Sequence, residues 1–305
     1  MQLDYTHLAT LAAILRCGSF EGAASDLSLT QSAISQRLKA LEERVGTLLV
    51  HRTNPCTGTD AGRRLAAHAD HVGLLEQTLH ADIAALAPLP QSRLRLAVNA
   101  DSLATWFLDA LQQLPDHLFD LTIDDQDFSA DWLKRGEVAG AVTAHATPIT
   151  GCDSHALGSL RYLATASPAY MARHFAEGVT PATIARAPML RFDQKDELQK
   201  HWIKRYVGTA TTTTTAATPP SHGLPSSQGF VEASLRGLGW GMNPEPLVRA
   251  HINAGRLVEI MPDAPFDTPL YWQSSRLLRT ALTPLTRAIR QTARLGLRQG
   301  GRQTG

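Results

Sequence analysis

The feature that most constrains this chain is a pair of short helical patterns in residues 19–44, which follow each other across a tight turn. The first pattern has apolar residues at i, i+3, i+4 and i+7, a spacing that places them on one face of a helix: Phe20, Ala23, Ala24 and Leu27. Two of these are alanines, so a second helix can approach closely. The pattern therefore predicts a packed helical hairpin.

The second helix of this pair starts after Thr30, whose hydroxyl can accept a hydrogen bond from a free backbone N–H at the helix start. Its buried positions recur at helical spacing: Ile34, Leu38, Leu41 and Val45. Its opposite face is polar and carries Gln31, Ser32, Ser35, Gln36 and Lys39, with Arg37 and Arg44 beside them. A recognition helix in the major groove needs such a face, with amides and hydroxyls for base edges and cations for phosphates.

The alternative is an ordinary hairpin with a solvated polar face. Such faces are usually rich in Glu and Lys, whereas this one has no acid before Glu42. This difference favours DNA binding. The candidate DNA contacts are Thr30, Gln31, Ser32, Ser35, Gln36, Arg37, Lys39 and Arg52.

The residues around the hairpin complete a small domain. Residues 4–16 form an amphipathic helix that adds a third member to the core. After Gly46, LLVHRT predicts a short strand and NPCTGT a turn, so the segment forms a β-hairpin wing. Arg52 on this wing can contact the phosphate backbone without reading sequence. Residues 1–58 are thus predicted to be a winged helix-turn-helix domain, mostly α.

A long helix follows, capped by Thr59 with Asp60 and running to about Leu86. Its narrow apolar stripe is typical of helices that pair with a second copy: Leu65, Ala69, Val72, Leu75, Leu79, Ile83 and Leu86. The alternative is that the stripe packs on the chain's own body. Pro88 and Pro90 end the helix, so residues 59–90 are predicted to be a dimerisation linker and hinge.

From Arg93 the pattern changes to strands alternating with helices, which is typical of an α/β domain with a parallel sheet and helices on both faces. We assign residues 91–295 to this domain. The threonine-rich stretch 209–220 is expected to be a mobile surface insertion, and residues 296–305 a disordered tail. From Arg276 onward the chain has seven arginines and no acid, which we interpret as a solvated helix face and a frayed end.

Composition narrows the class of protein. The 305 residues have a net charge of only +1, which argues against coating nucleic acid by charge alone. Three distant cysteines form neither a disulfide framework nor a zinc cluster, and no membrane span or signal peptide is apparent, so a cytoplasmic location is expected. No metal, cofactor or catalytic motif is expected, and we predict that the chain is not an enzyme.

Several segments in this order resemble the LysR-type transcriptional regulators. They are AASDLSLTQSAISQRLKALEERVGTLLVHR, GTDAGRRL, the linker helix and the α/β region. Narrower resemblance, to the branch that controls lysine and arginine export, comes from VNADSLATW (98–106), RGEVAGAVT (135–143), LGSLRYLATAS (157–167), GFVEASLRGLGWGMNPE (229–245) and PLYWQ (269–273). The resemblance implies a homodimer or dimer of dimers on double-stranded promoter DNA, with RNA polymerase as a candidate partner.

The resemblance also implies a periplasmic-binding-protein-like effector domain with two lobes. We expect the chain to cross between lobes near Ala164–Ser167 and Phe266–Pro269. Lobe I is then 93–164 with 268–295, and lobe II is 165–267. A small effector, lysine or arginine in this branch, would bind between the lobes.

The effector residues follow from chemistry at strand ends and helix starts. Backbone N–H groups at Asn99 and Asp101 could hold a carboxylate, with the Ser102 and Thr105 hydroxyls beside them, and Asp101 or Ser102 is expected to cap the helix. An acidic cluster of Asp124, Asp125 and Asp127 could bind an ammonium or guanidinium group, and Asp193 is a further cation partner. By family position, Thr143, Ser226, Ser227 and Gln228 would line the same cleft.

Simpler structural roles are also open for some of these residues. Asp101 could be a helix cap alone, and one acid of the cluster could simply be solvated. At the level of the whole protein, the alternative is a nucleoid or replication-origin DNA-binding protein with little effector control; the near-neutral charge counts against it.

Overall fold

The computed structural model describes residues 3–82, 93–123, 129–208 and 219–299. Within these ranges, a mostly helical N-terminal domain is joined through a 23-residue helix to a mixed α/β body. Among the helices described, none has both the length and the apolar character needed to span a membrane.

The N-terminal domain has three helices and a two-stranded wing. They are α1 (Tyr5–Cys17), α2 (Phe20–Asp26), α3 (Gln31–Val45), β1 (Val50–His51) and β2 (Thr57–Gly58). The side chains of Asp4, Ser19 and Thr30 each accept a backbone N–H at the start of a helix, so each helix begins where an oxygen acceptor stands. The Cys56 N–H donates to the Gly18 carbonyl at 2.7 Å and fixes the wing against the end of α1. The predicted winged helix-turn-helix fold is confirmed.

The linker helix α4 (Asp60–Asp82) starts as predicted, because the Thr59 hydroxyl accepts the Gly62 N–H at 3.1 Å. Its apolar stripe divides into two parts. Leu65 and Ala69 pack against the core of the N-terminal domain, whereas Leu75 and Leu79 are 39% and 54% exposed. Val72 is half-buried between these two parts. The last members of the stripe and the hinge prolines lie outside the described residues: Ile83, Leu86, Pro88 and Pro90.

The α/β body is built on one mixed sheet with strand order β10-β6-β11-β5-β3-β4, and β9 also pairs with β6. A separate short sheet contains β7 and β8. The strands are β3 (Arg93–Val98), β4 (Leu118–Ile123), β5 (Gly140–Thr143), β6 (Cys152–Ala166), β7 (Met189–Arg191), β8 (Ser221–Gly223), β9 (Gly241–Pro244), β10 (Val258–Glu259) and β11 (Phe266–Ser275).

This sheet differs from the parallel sheet that the sequence predicted. Strand β3 runs parallel to β4 and β5, but β6 pairs antiparallel with β11, β9 and β10. The reason is the path of the chain: β6 leaves the first half of the body and β11 returns to it, so the two strands run side by side in opposite directions. They pair from Cys152–Ser275 to Tyr162–Phe266. Beyond that point β6 pairs with β9 and β10, close to the predicted lobe crossings.

Helices cover the sheet. They are α5 (Ala100–Ser102), a π-helical turn (Leu103–Phe107), α6 (Leu108–Leu111), α7 (Ser129–Lys134), α8 (Pro168–His174), α9 (Pro181–Arg186), α10 (Leu198–Tyr206), α11 (Ser227–Leu235), α12 (Glu245–Asn253), a 3-10 turn (Arg276–Leu278) and α13 (Arg279–Gly296). The buried Trp272 of β11 lies against Gly140 of β5, where a Cβ would meet the indole at 2.2 Å, so only glycine fits there. The Trp272 N–H donates to Thr286 of α13 at 3.0 Å and holds that helix on the sheet.

The end of the chain differs from the expected disordered tail over its first residues. Leu297 is buried in the core, and the backbone of Arg298 pairs with Ser159 of β6. The Arg298 guanidinium also donates to Glu245 of α12 at 2.8 Å. Residues 300–305 and the threonine-rich residues 209–218 lie outside the described part of the chain.

Candidate DNA-binding face and effector site

The polar face of α3 is open to solvent. Ile34, Leu38 and Leu41 are completely buried on the inner side of the helix. On the outer side Gln31, Ser32, Gln36 and Lys39 are exposed, and Ser35 and Arg37 are half-buried. The described part of the chain does not cover this face, so a duplex can reach it.

The wing extends the same surface. Arg52, which directly follows β1, is exposed, and its guanidinium lies 5.2 Å from the centre of the Phe20 ring at the start of α2. Thr30 is exposed at the start of α3, although its hydroxyl also accepts the Ala33 N–H at 3.2 Å. All eight predicted DNA contacts therefore lie on α3, at its start or on the wing. Their individual contacts with DNA stay a prediction.

A cavity of about 150 Å³ lies where β3 ends, between α5, β6, the residues that follow β7, and α11. Cavities of this size admit a small organic molecule as well as water. Four of the predicted effector residues line it: Asn99, Asp101, Asp193 and Ser227. Its other main polar lining residues, Tyr162 and Asp196, are not among the residues predicted from the sequence.

Asp101 is the residue that joins the walls of the cavity. Its carboxylate accepts a hydrogen bond from the Tyr162 hydroxyl of β6 at 2.8 Å and another from the Ser227 hydroxyl of α11 at 2.6 Å. Burial raises the pKa of Asp101, and these two hydrogen bonds oppose that rise by stabilising the ionised form. The expectation that Asp101 or Ser102 caps the helix is wrong, because the Asn99 side chain takes the cap position and accepts the Ser102 N–H at 3.2 Å.

Asp193 and Asp196 provide two further carboxylates from the loop after β7. The Asp193 carboxylate accepts the Lys195 and Asp196 N–H groups at 2.7 and 3.1 Å. The Asp196 carboxylate accepts the Phe192 and Leu198 N–H groups at 2.9 and 3.0 Å. These bonds fix both carboxylates in the cavity wall. The signal for Asp196 was its position three residues after Asp193, directly after a predicted strand.

Three predicted residues of the first half of the body lie outside the cavity lining. Ser102 is buried beneath the start of the helix. The Thr105 hydroxyl donates to the Asp101 carbonyl at 2.6 Å, inside its own helix. Thr143 is fully buried and bonds to the Gln273 side chain at 3.2 Å. Local and core hydrogen bonds therefore account for the polar groups of Thr105 and Thr143.

The remaining predicted residues divide between lobe II and the acidic cluster. Ser226 is exposed and caps α11 by accepting the Gly229 N–H at 3.1 Å, and Gln228 is exposed on the same helix. Neither lines the cavity with Ser227. The cluster lies outside the described residues: Asp124, Asp125 and Asp127. Ile123, which ends β4 just before it, lines the cavity.

The chemistry of the cavity is acidic and partly apolar. Its described lining contains three carboxylates and no lysine, arginine or histidine. The apolar part is formed by Phe192, Phe230, Met242 and their neighbours. Such a lining accommodates a cationic group on an apolar stem, because the carboxylates pair with the charge while carbon atoms cover the stem.

Comparison with known families decides what kind of protein carries these two sites. Residues 5–63 match the bacterial regulatory helix-turn-helix protein, lysR family, and residues 87–294 match the LysR substrate binding domain. The chain belongs to the LysR family of transcriptional regulators. As a member of this family, the regulator binds DNA and is not an enzyme.

Individual relatives cover almost the whole regulator. It is 42% identical to the HTH-type transcriptional regulator LysG of Mycobacterium tuberculosis, over 96% of this chain and 94% of that protein. The crystal structure of ArgP from Mycobacterium tuberculosis superimposes with a TM-score of 0.76 at 41% identity, covering 98% of this chain and all of that one. Full-length LysG from Corynebacterium glutamicum with bound effector Arg gives a TM-score of 0.65 at 37% identity, covering 97% and 100%.

Proposed function

We propose that this LysR-type regulator binds promoter DNA through the α3 face and the wing, and responds to L-arginine or L-lysine bound in the Asp101 cavity. The promoter is that of a gene for basic amino-acid export. One observation carries the effector assignment: the described cavity lining has three carboxylates and no basic side chain. The bound arginine of the Corynebacterium glutamicum LysG structure supports the same class of ligand.

The ligand orientation follows from the two ends of the cavity. Asp193 and Asp196 hold the guanidinium or ammonium group, since a planar guanidinium can donate to two carboxylate oxygens at once. The α-carboxylate lies at the first free N–H groups of the helical segment that starts at Ala100. Asp101 pairs with the α-ammonium group between these two ends.

The response of promoter binding to the ligand follows from the position of Asp101 between α5 and α11. In the described structure its carboxylate already connects α5 to Ser227 of α11. A cationic ligand competes for these oxygens and adds contacts to both walls, so it binds one arrangement of the lobes better than the other. Such differential affinity is what lets a ligand shift a conformational equilibrium and hence promoter occupancy.

Assembly uses the exposed part of the linker helix. Leu75 and Leu79 lie on one stripe of α4, and both are exposed within the described chain. Two copies of α4 packed along this stripe form a homodimer, which can pair with another to form a dimer of dimers. A dimer presents two α3 faces to two half-sites, and RNA polymerase is the next partner at the promoter.

The effector assignment is tested by calorimetry on the full-length regulator with L-arginine, L-lysine and L-citrulline. Citrulline has almost the shape of arginine but an uncharged side chain, so it is a matched control for the pairing of the guanidinium with Asp193 and Asp196. We expect heats of binding for arginine or lysine and none for citrulline at the same concentrations. Equal binding of citrulline, or no binding of either cation, would contradict the proposal. A promoter footprint with and without the bound amino acid then measures the response.

A further inference from the structure

A second polar cavity lies along helix α13. We call it the arginine groove; it is formed by Arg279, Arg287, Arg290 and Arg294 of α13 with Asp153 and His155 of β6. Its volume is about 920 Å³, several times that of the effector cavity. Neither DNA reading by α3 nor effector binding uses it.

Helical spacing produces the groove. Arg287, Arg290 and Arg294 are spaced at i, i+3 and i+7 and are all exposed, so they form one row. Leu285 and Ile289 on the other side of α13 are buried against the sheet. Rotating the helix would remove these apolar side chains from the core, so the fold keeps the three arginines on one exposed face of α13.

The charge of the groove is not neutralised from within. Asp153 is occupied by Arg279, which makes two hydrogen bonds of 2.9 Å with its carboxylate, and by Arg276 at 3.2 Å. No carboxylate of the described residues pairs with the row of Arg287, Arg290 and Arg294. Four guanidinium groups against one carboxylate give the arginines and the acid of the groove a formal charge of +3, on a chain whose net charge is +1.

On other helices of the protein, cationic side chains form ion pairs with nearby acids. Lys134, Lys200, Arg236 and Arg249 each pair with an acid three or four residues away, on the same helix or directly at its end. Residues 276–305 contain no acid at all. The row on α13 therefore lacks the alternation of charge that an ordinary solvated face shows, and this favours an anionic partner.

The lining identifies the class of partner. Every side chain that lines the groove is polar, with serine, threonine and glutamine beside the arginines. Protein interfaces have an apolar centre with aromatic anchors, and the groove has none. Interfaces with nucleic acids are more polar and far more positive, and phosphate oxygens accept hydrogen bonds from arginine, serine, threonine and glutamine side chains.

We propose that the arginine groove binds the phosphate backbone of duplex DNA outside the segment that α3 reads. The proposal rests on DNA binding by the family and is independent of the effector assignment. Contacts of this kind carry no sequence information, but they offset the cost of bending DNA towards the protein. Since α13 also packs on the linker helix α4, DNA held in the groove would influence the placement of the winged domain.

The test compares the full-length regulator with a variant carrying Arg287→Gln, Arg290→Gln and Arg294→Gln. Binding is measured over a range of salt concentrations on two duplexes: one trimmed to the half-sites, and the same one extended on both sides by several helical turns. Each lost phosphate contact lowers the slope of log K against log salt concentration by roughly 0.9. We expect the slope on the extended duplex to fall by about 2 to 3 in the triple variant, and the slope on the trimmed duplex to stay unchanged.

A matched control carries Lys134→Gln, Lys200→Gln and Arg236→Gln, which removes the same net charge from sites where an acid already neutralises each cation. Its slopes should equal those of the wild type on both duplexes. Thermal melting of both variants checks that these exposed substitutions leave the fold intact.

Three outcomes would overturn the proposal. Equal slopes for the triple variant and the wild type on the extended duplex would show that DNA does not occupy the groove. Unchanged DNA binding with reduced transcription by added RNA polymerase would assign the groove to a protein partner. An equal decrease of the salt slope on the trimmed duplex would show that the substitutions act on the α3 site itself. The experiment does not measure arginine binding, so none of these outcomes bears on the effector proposal.

Discussion

The α3 face and the effector cavity differ in how the chain builds them. The α3 face comes from one helix and its cap, residues 30–39, and needs no other element than the hairpin beneath it. The cavity joins residues from α5, β6, the loop after β7, and α11, which are far apart in the sequence. A face on one helix follows from periodicity alone, whereas a cavity exists only where separate elements pack.

The two sites also differ in how their polar groups are used. The side chains of Gln31, Ser32 and Gln36 on α3 are exposed to solvent, so their amides and hydroxyl can meet base edges. In the cavity, Asp101, Asp193 and Asp196 already accept hydrogen bonds from the protein. The α3 face is therefore expected to bind DNA bases directly. The cavity is expected to bind a ligand by exchanging hydrogen bonds within the protein for hydrogen bonds to that ligand.

The largest expected effect is that of Asp101→Asn on the cavity. Removing one charge of a buried, hydrogen-bonded pair should weaken arginine binding by on the order of 2–5 kcal/mol, while DNA affinity without ligand stays unchanged. Calorimetry and a DNA-binding assay measure the two effects separately. Asp109→Asn, at an exposed carboxylate of α6, is the matched control and should change neither. A loss of DNA affinity in Asp101→Asn alone would contradict the separation of the two sites.

The Asp101 carboxylate also determines how the affinity for arginine depends on pH. Burial raises the pKa of Asp101 above its ordinary value of 3.8, so the carboxylate takes up a proton while ordinary aspartates are still ionised. The protonated form cannot pair with a cation. Arginine affinity should thus be highest at pH values above the raised pKa and weaken as the pH falls through it, and Asp101→Asn should remove this dependence.

Gln36→Ala should have the next largest effect, and on DNA alone. An exposed amide at the centre of the α3 face can make two hydrogen bonds to one base, so its loss should cost about 1–3 kcal/mol of discrimination at that position. Selection from randomised operators measures this. Arginine binding by the cavity should be unchanged. Unaltered sequence preference in the variant would remove α3 from the role of recognition helix.

Arg52→Gln should have the smallest effect. A wing guanidinium that contacts phosphate contributes equally to all sequences, so affinity should fall uniformly and the salt slope should decrease by roughly 0.9. Sequence preference should stay the same. Together with Gln36→Ala, which should change preference but not slope, it divides the surface into reading and positioning parts. If Arg52→Gln altered preference instead, the wing would belong to the reading part.

Much of the N-terminal domain was predictable because its signals are local. Ser19, Thr30 and Gly46 stand at helix ends whose caps depend on neighbours a few residues away. The mixed sheet was not predictable to the same extent, since the antiparallel pairing of β6 with β11 joins residues more than a hundred positions apart. Of the predicted effector residues, Asn99, Asp101, Asp193 and Ser227 line the cavity, but Thr143 and Thr105 do not; effector binding by any of them stays a prediction.

The sequence by itself determined the winged helix-turn-helix fold, the start of the linker helix and the exposed polar face of α3. Each of these depends on helical periodicity and on caps, which act within a few residues. Only the tertiary structure decided which carboxylates share a cavity, that Asn99 rather than Asp101 caps its helix, and that the arginines of α13 form one groove with β6. These features depend on which elements pack together. The burial of apolar faces decides how the helices and strands pack, and this packing decides which distant polar side chains meet.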